Sequence, residues 1–190
     1  IPFTMTGVRA RWTPALPGPG AFHELNVRTY VRLAGRGSDP ERSRPGVWFF
    51  SLDAASPTAV LAARALFCLP YYRARMALAR EGEAVRYSSI RTHRGAPGAE
   101  FAGRYGPDGP AYRSVAGTLE HWLTERYCLY SATPKGRVLT CDIHHEPWPL
   151  RGAWADVERN RMTAQVGVEL PDEPPLLHLA RRLDVVAWRP

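Results

Sequence analysis

Alternation of polar and apolar residues with a period of two is the feature that most restricts the fold of this chain. In "ELNVRTYV" (24–31), Glu24, Asn26, Arg28 and Tyr30 alternate with mostly apolar residues. A period of two is that of a β-strand whose two faces meet different surroundings. The pattern therefore predicts a β-rich protein. Further strand predictions with a similar pattern cover residues 46–52, 84–92, 99–105, 126–132, 137–145, 154–158 and 181–188.

Two segments depart from the alternation and predict short helices. Ser56 can cap a helix and Pro57 can occupy its first turn, before apolar residues at helical spacing up to Phe67. A second short helix is predicted within 117–127. Many short strands with one or two short helices indicate a β-rich α+β fold, in the form of a barrel or a curled sheet.

The length and the apolar pattern indicate a single domain in a reducing compartment. A chain of 190 residues has the size of one domain, which we expect to cover 1–190. No apolar run approaches the roughly 18 residues of a membrane span, and no export signal is visible, so we expect no membrane association and a cytoplasmic location. Three widely spaced cysteines, Cys68, Cys128 and Cys141, are typical of free thiols rather than of a disulfide framework.

The positive charge of the chain suggests a nucleic-acid partner at first sight, but its distribution argues against one. The formal net charge is +7, and Lys135 is the only lysine among 25 basic residues. The arginines are spread along the sequence, and no helix-turn-helix, zinc-finger or RNA-recognition pattern accompanies them. We therefore expect no nucleic-acid partner. Lys135 lies in the turn-like "TPKG" (133–136), which predicts an exposed hairpin tip.

The polar face of the 24–31 strand has two interpretations. Alternation alone favours a solvated sheet face. The other interpretation is the wall of an interior pocket, in which Glu24 and Arg28 bind and polarise a small carboxylate or carbonyl compound.

A second polar cluster lies in "CDIHHEPWPL" (141–150). On a strand, Asp142, His144 and Glu146 share one face, although their spacing matches no recognised set of metal ligands. We therefore expect no metal and treat His144 as a candidate ligand-binding residue. The sequence also lacks GxSxG, GxGxxG, P-loop and HExxH patterns, so no cofactor is expected.

Six separated motifs together resemble a known family. They are "FHELNVRTYV", "GVWFFSLDAAS", "LFCLPYY", "LTERYCLY", "HHEPWPL" and "LLHLARRLDV". In this order they resemble the YqjF-like uncharacterised bacterial family of the acetoacetate decarboxylase-like superfamily, over nearly the whole chain. The resemblance implies a cone-shaped β-barrel that encloses a small-molecule pocket, often in a homo-oligomer, and a further N-terminal segment before residue 1.

The resemblance to acetoacetate decarboxylase itself singles out the two adjacent tyrosines. That enzyme has an arginine, an apolar run, a proline and two lysines where this chain has Arg64, "ALFCL", Pro70 and then Tyr71 and Tyr72. In the enzyme, the first lysine forms a Schiff base and the second lowers its pKa. Glu24 is similar in position to an active-site glutamate. Because tyrosine has no amine, Schiff-base decarboxylation is not expected here.

The resulting hypothesis is an interior pocket for a keto acid or another carbonyl compound, with proton-transfer chemistry in place of the Schiff base. Glu24 is the candidate acid or base, and a phenol is the candidate proton donor. The alternative is a non-catalytic ligand-binding or structural protein that retains the fold. The candidate catalytic residues are Glu24, Tyr71 and Tyr72, and the candidate ligand-binding residues are Asn26, Arg28, Arg64 and His144.

Overall fold

Strands dominate the computed structural model, which describes residues 1–9, 20–33, 44–188 and 190. Within these ranges the chain forms eleven strands, two α-helices and one 3₁₀ turn, Ala164–Val166. The strands are β1 (Pro2–Thr6), β2 (Ala21–Arg32), β3 (Pro45–Ala54), β4 (Tyr71–Glu81), β5 (Ala84–Arg91), β6 (Glu100–Tyr112), β7 (Cys128–Ala132), β8 (Val138–His145), β9 (Leu150–Asn160), β10 (His178–Ala180) and β11 (Val185–Ala187). The helices are α1 (Pro57–Phe67) and α2 (Leu119–Thr124).

The chain divides into two compact units. Unit 1 consists of Ile1–Val27, Phe50–Gly106 and Ala155–Pro175, and unit 2 of Arg28–Phe49, Pro107–Trp154 and Leu176–Pro190. The long strands β2, β3, β6 and β9 contribute residues to both units. The expectation of one domain over 1–190 stays a prediction.

Unit 1 is built from strand pairs around one buried cluster. β1 pairs antiparallel with β2, β4 with β5, and β5 with β6. The end of β3 pairs in parallel with the start of β4, with Leu52 opposite Tyr71, so β3, α1 and β4 form a βαβ unit. The buried cluster contains Leu25, Tyr87, Ala99 and Met162.

Unit 2 is also built from paired strands. The start of β3 runs parallel to β7, with Val47 opposite Leu129. β7 and β8 form an antiparallel hairpin. β11 pairs antiparallel with β8, and β10 pairs antiparallel with β9.

The β-rich composition with two short helices confirms the predicted fold class, although the term barrel applies only loosely, because the sheet is not closed. The hydrogen-bonded order of the main path is β10-β9-β6-β5-β4-β3-β7-β8-β11, with β1 and β2 off this path. A closed barrel requires a partner on both sides of every strand. Among the described residues, β10 and β11 have one strand partner each, so the sheet is open.

Helix α1 begins as the sequence predicts and ends in a left-handed residue. The Ser56 hydroxyl accepts a hydrogen bond from the Ala59 amide at 3.3 Å. At the other end Cys68 has a φ of 51°, and its backbone N–H bonds to the Ala63 carbonyl. This cap reverses the chain and leads it into β4, whose first residue is Tyr71. The second helix, α2, is shorter than the predicted 117–127.

Neither helix approaches a membrane-spanning length. In the described part of the chain, no helix is both long enough and apolar enough to cross a bilayer.

Gly46 lies in β3 of unit 2 where a side chain has no room. A Cβ built on Gly46 would lie 2.5 Å from the Cys128 carbonyl oxygen and 2.7 Å from a ring carbon of Tyr130. Backbone of the paired strand β7 cannot move away without loss of its hydrogen bonds. We therefore expect Gly46→Ala to lower the free energy of unfolding by roughly 1–3 kcal/mol, measured by urea denaturation. Gly98→Ala, where no atom lies within 4 Å, is the control; equal losses in the two variants would contradict this account.

Candidate functional site

The side chains of Glu24 and Tyr71 meet inside unit 1. Glu24 lies in β2 and is 2% exposed, and β1 covers it on one side, with Phe3 opposite it in the ladder. The Tyr71 hydroxyl donates a hydrogen bond of 2.8 Å to Glu24 Oε2. The Tyr87 hydroxyl donates to the Glu24 carbonyl oxygen at 2.9 Å, which fixes the strand at this point. The structure therefore brings two of the three candidate catalytic residues into direct contact.

Burial changes the acid–base behaviour of both groups. Desolvation raises the pKa of Glu24 from 4.5 to about 7, and the hydrogen bond from Tyr71 opposes the rise. Burial, together with the neighbouring Glu24 carboxylate, raises the pKa of Tyr71 well above its ordinary value. At neutral pH the phenol is therefore a proton-bearing donor, while the carboxyl group is close to the point at which it accepts or releases a proton.

Asn26 follows Glu24 on the same face of β2. It is 5% exposed, and its Oδ1 atom is buried with no hydrogen-bond partner among the residues that the structure describes. The Ser89 hydroxyl, on β5, is likewise buried and has no partner in the described part of the chain. Most buried polar groups in proteins have a hydrogen-bond partner, so these two atoms of unit 1 are exceptions. The burial of Glu24 and Asn26 excludes the solvated-face interpretation for these two residues.

Arg64 and Tyr72 lie near Tyr71 but face other groups. Arg64 is exposed, and its Nη1 atom donates to the Tyr71 carbonyl oxygen at 2.9 Å, so that it contacts the backbone of β4. Neighbouring residues of a strand point to opposite faces. The Tyr72 ring accordingly packs against Arg91, with the guanidinium carbon 4.1 Å from the ring centroid, and against His93.

A buried ion pair in unit 1 was missed by sequence reasoning. Arg91 donates from Nη2 to Asp53 Oδ1 at 2.6 Å and from Nε to the same oxygen at 2.9 Å. The side chains are 1% and 0% exposed. Arg91 also donates to the Pro97 carbonyl and to Gln165 Oε1. The available signal was the aspartate within the apolar run "WFFSLDA", since a charged residue in a buried strand requires a partner.

Arg28 and His144, the other candidate ligand-binding residues, belong to unit 2. Arg28 donates from Nη2 to the Tyr30 hydroxyl at 3.3 Å. His144 is exposed on β8, where Val186 of β11 lies opposite it. Asp142, on the same face, pairs with Arg44 at 2.6 Å. Within the described ranges, no group of three or more His, Cys, Asp or Glu residues is arranged to hold a metal ion.

Comparison with known proteins shows the family of the chain. The model of the DUF2071 family, described as an uncharacterized conserved protein, matches residues 1–184. The chain belongs to the DUF2071 family. It is also similar to the uncharacterized protein YqjF of Bacillus subtilis (strain 168), with 42% identity over 188 residues that cover 99% of this chain and 73% of that protein. The resemblance to YqjF-like proteins is thereby confirmed.

Among solved structures, the chain is similar to acetoacetate decarboxylase from Legionella pneumophila subsp. pneumophila str. Philadelphia 1. The TM-score is 0.46 at 11% identity, and the match covers 76% of this chain. The chain spans 56% of the length of that structure. A similarity at this level carries no conclusion about mechanism.

The sole lysine of this DUF2071 chain lies where the sequence predicts. Lys135 is exposed in the turn between β7 and β8, next to the pair formed by Ala132 and Val138. The three cysteines are free thiols, as predicted.

A surface depression is formed by the segment after β9. Its volume is about 380 Å³, and residues between Asn160 and Leu170 line it. Neither Glu24 nor Tyr71 is part of the lining. The interior pocket at Glu24 therefore stays a prediction.

Proposed function

We propose that this protein binds a small carbonyl compound of the keto acid class beside Glu24 and Tyr71, and catalyses proton transfer at the carbon next to the carbonyl. The observation that supports the proposal is the 2.8 Å contact between the Tyr71 hydroxyl and a carboxyl group that is 2% exposed and has a pKa of about 7. General acid–base catalysis is most effective when the pKa of the catalytic group is close to the working pH.

The proposed reaction begins with the Glu24 carboxylate as the base. It removes the proton from the carbon, the C–H bond breaks, and an O–H bond forms on the carboxyl group. The electron pair moves to the carbonyl oxygen, which becomes an enolate. Protonated Glu24 is a weaker acceptor than the carboxylate, so the Tyr71 hydroxyl can turn to the enolate oxygen and donate there. Return of the proton from Glu24 completes the exchange.

Asn26 is the proposed ligand-orienting residue. It shares the strand face of Glu24, and its side chain has an unpartnered buried polar atom. A carboxamide offers both a donor and an acceptor, so it can bind the carboxylate or a hydroxyl of the ligand. Leaving such a group unpaired in the free protein costs stability, which a ligand hydrogen bond would recover.

No Schiff base enters the proposal. Tyr71 has no amine, and Lys135 is exposed in a hairpin turn. Arg64, through its bond to the Tyr71 carbonyl, is a positioning residue for the phenol.

The test is α-proton exchange of 2-oxo and 3-oxo acids in D₂O, followed by proton NMR. We expect exchange with the unmodified protein. Glu24→Gln should slow it by roughly 10²–10⁴-fold because the base is lost. Tyr71→Phe should slow it by on the order of 10²-fold because the enolate loses a donor.

Two phenol variants provide the controls. Tyr105→Phe removes another half-buried hydroxyl of unit 1 and should leave exchange unchanged. Tyr72→Phe tests whether the second tyrosine takes part, and full activity in this variant would restrict the chemistry to Tyr71. Equal exchange in Glu24→Gln and the unmodified protein would overturn the proposal. Absence of exchange with every acid, combined with no rise in melting temperature, would favour the non-catalytic alternative.

A further inference from the structure

Two arginines and two aromatic side chains form a cluster in unit 2 that the proposed proton transfer does not use. We call Arg28, Tyr30, Trp122 and Arg126 the arginine–aromatic cluster. The Tyr30 and Trp122 rings lie 4.8 Å apart. The Arg126 guanidinium carbon lies 4.3 Å from the Trp122 centroid and 5.7 Å from that of Tyr30, and the Arg28 guanidinium carbon lies 5.5 Å from Tyr30. Two positive charges therefore approach the same phenol ring.

The two guanidinium groups have no carboxylate partner in the described part of the chain. With the acidic residues that the structure describes, neither Arg28 nor Arg126 forms an ion pair within 4.0 Å, although exposed arginines such as Arg182 form one. The Nε atoms of both cluster arginines are buried without a hydrogen-bond partner within the described ranges. Glu125, the acid next to Arg126 in sequence, accepts a hydrogen bond from the Tyr127 hydroxyl and forms no ion pair with Arg126 among the described residues.

This arrangement has an energetic cost in the free protein. Desolvation lowers the pKa of Arg126, and the charge of Arg32 adds to this effect. Cation–π contacts with Tyr30 and Trp122 offset part of the cost, but they satisfy no N–H donor. Among the described residues no carboxylate neutralises these two charges, and a bound anion would supply the counter-charge.

The cluster is also accessible and shaped for such a ligand. Trp122 is 49% exposed, so the cluster reaches the surface. Guanidinium groups bind carboxylate and phosphate oxygens through paired N–H donors, and they stack on planar groups. An aromatic surface beside the donors would contact the body of an organic anion.

We propose that the arginine–aromatic cluster is a binding site for a small organic oxyanion, a carboxylate or a phosphate monoester. The oxyanion accepts hydrogen bonds from the outer nitrogen atoms of Arg28 and Arg126, and the organic part rests against Trp122. The site involves none of the residues that carry the proposed proton transfer in unit 1, so either proposal can fail without the other.

Isothermal titration calorimetry at low ionic strength tests the site with three probes: inorganic phosphate, phenyl phosphate and benzoate. Arg126→Met and Arg28→Met keep much of the apolar stem and remove the donors. Each should weaken binding by at least about tenfold, the effect of losing a hydrogen bond to a charged group. Arg182→Met is the matched control, because it removes an exposed arginine of the same unit that is already paired with Asp184.

The probes separate the sources of affinity. Tighter binding of phenyl phosphate than of inorganic phosphate shows that the aromatic surface contributes, and binding of benzoate shows that a carboxylate suffices. Absence of binding by all three probes up to about 10 mM overturns the proposal. Equal loss of binding in the Arg182→Met control also overturns it.

Thermal unfolding provides a second measurement, in which a purely structural role of Arg126 would give a different result. Arg126 follows the C-terminal end of α2, where a positive charge can stabilise a helix. If that were its role, Arg126→Met would lower the melting temperature without any ligand. The proposal predicts instead an unchanged or higher melting temperature for Arg126→Met without ligand. It also predicts a phosphate-dependent rise in the unmodified protein and in Arg182→Met, which Arg126→Met lacks.

Discussion

Replacement of Arg91 by methionine is expected to lower the free energy of unfolding by roughly 3–5 kcal/mol, the cost of leaving a buried charge without its partner. Asp53 and Arg91 are joined at 2.6 Å and almost completely buried, so the Asp53 carboxylate would lose both its counter-charge and its hydrogen bonds. Methionine keeps much of the apolar volume of the arginine stem, which limits the packing contribution. Urea denaturation at neutral pH measures the change.

Two further variants test this explanation. Arg86→Met removes an arginine that is paired with Glu81 and Glu158 but half exposed, and it should cause a much smaller loss. Combining Arg91→Met with Asp53→Leu should restore most of the stability, because no carboxylate is left unpaired. The Pro97 carbonyl and Gln165 still lose a donor, so recovery is incomplete. A loss for Arg91→Met no larger than that for Arg86→Met would contradict the role of the buried pair.

Glu24→Gln is expected to change, by about 3 kcal/mol, the amount by which the free energy of unfolding varies with pH. Above pH 4.5 the unfolded chain releases the Glu24 proton, while the folded chain retains it until about pH 7. Unfolding therefore releases a proton in this window, and the unmodified protein loses stability as the pH rises through it. The glutamine variant stays neutral and keeps an acceptor for Tyr71, so it escapes this loss.

The measurement is a series of urea denaturations between pH 4 and pH 8, compared as the difference between variant and unmodified protein. Contributions from all other titrating groups cancel in that difference. The variant should gain relative stability as the pH rises to 8, although its proposed proton-transfer activity is lost. Glu169→Gln, at an exposed position, should show no such gain. A flat difference for Glu24→Gln would contradict the raised pKa.

The strand pattern of the sequence predicted most of the sheet but missed the long strand β4, as well as the short strands β1 and β10. The sequence of β4, "YYRARMALARE", consists largely of residues that favour helices, such as alanine, arginine and methionine. Pairing with β5 determines the outcome, since every residue from Ala74 to Glu81 has a partner in the ladder from Ala84 to Arg91. Propensity measured along one segment contains no information about a neighbouring strand.

The candidate site was predictable only in part for the same reason. Alternation placed Glu24 and Asn26 on one face, and the resemblance to a decarboxylase pointed to Tyr71. Neither could show that the two tyrosines have different surroundings, because that depends on the register between β3 and β4. The same register places Asp53 opposite Tyr72, where Arg91 contacts both residues.

Because β4 begins with two tyrosines, it would tolerate a change in the length of the connector that follows the left-handed cap at Cys68. Only Leu69 and Pro70 separate the cap from Tyr71, so this short connector decides which phenol faces Glu24. A deletion of one connector residue would move Tyr72 into the position of Tyr71, since side chains alternate along a strand. A phenol would still face the carboxyl group. If Tyr71 were the only tyrosine here, the same deletion would place a residue without a hydroxyl opposite Glu24.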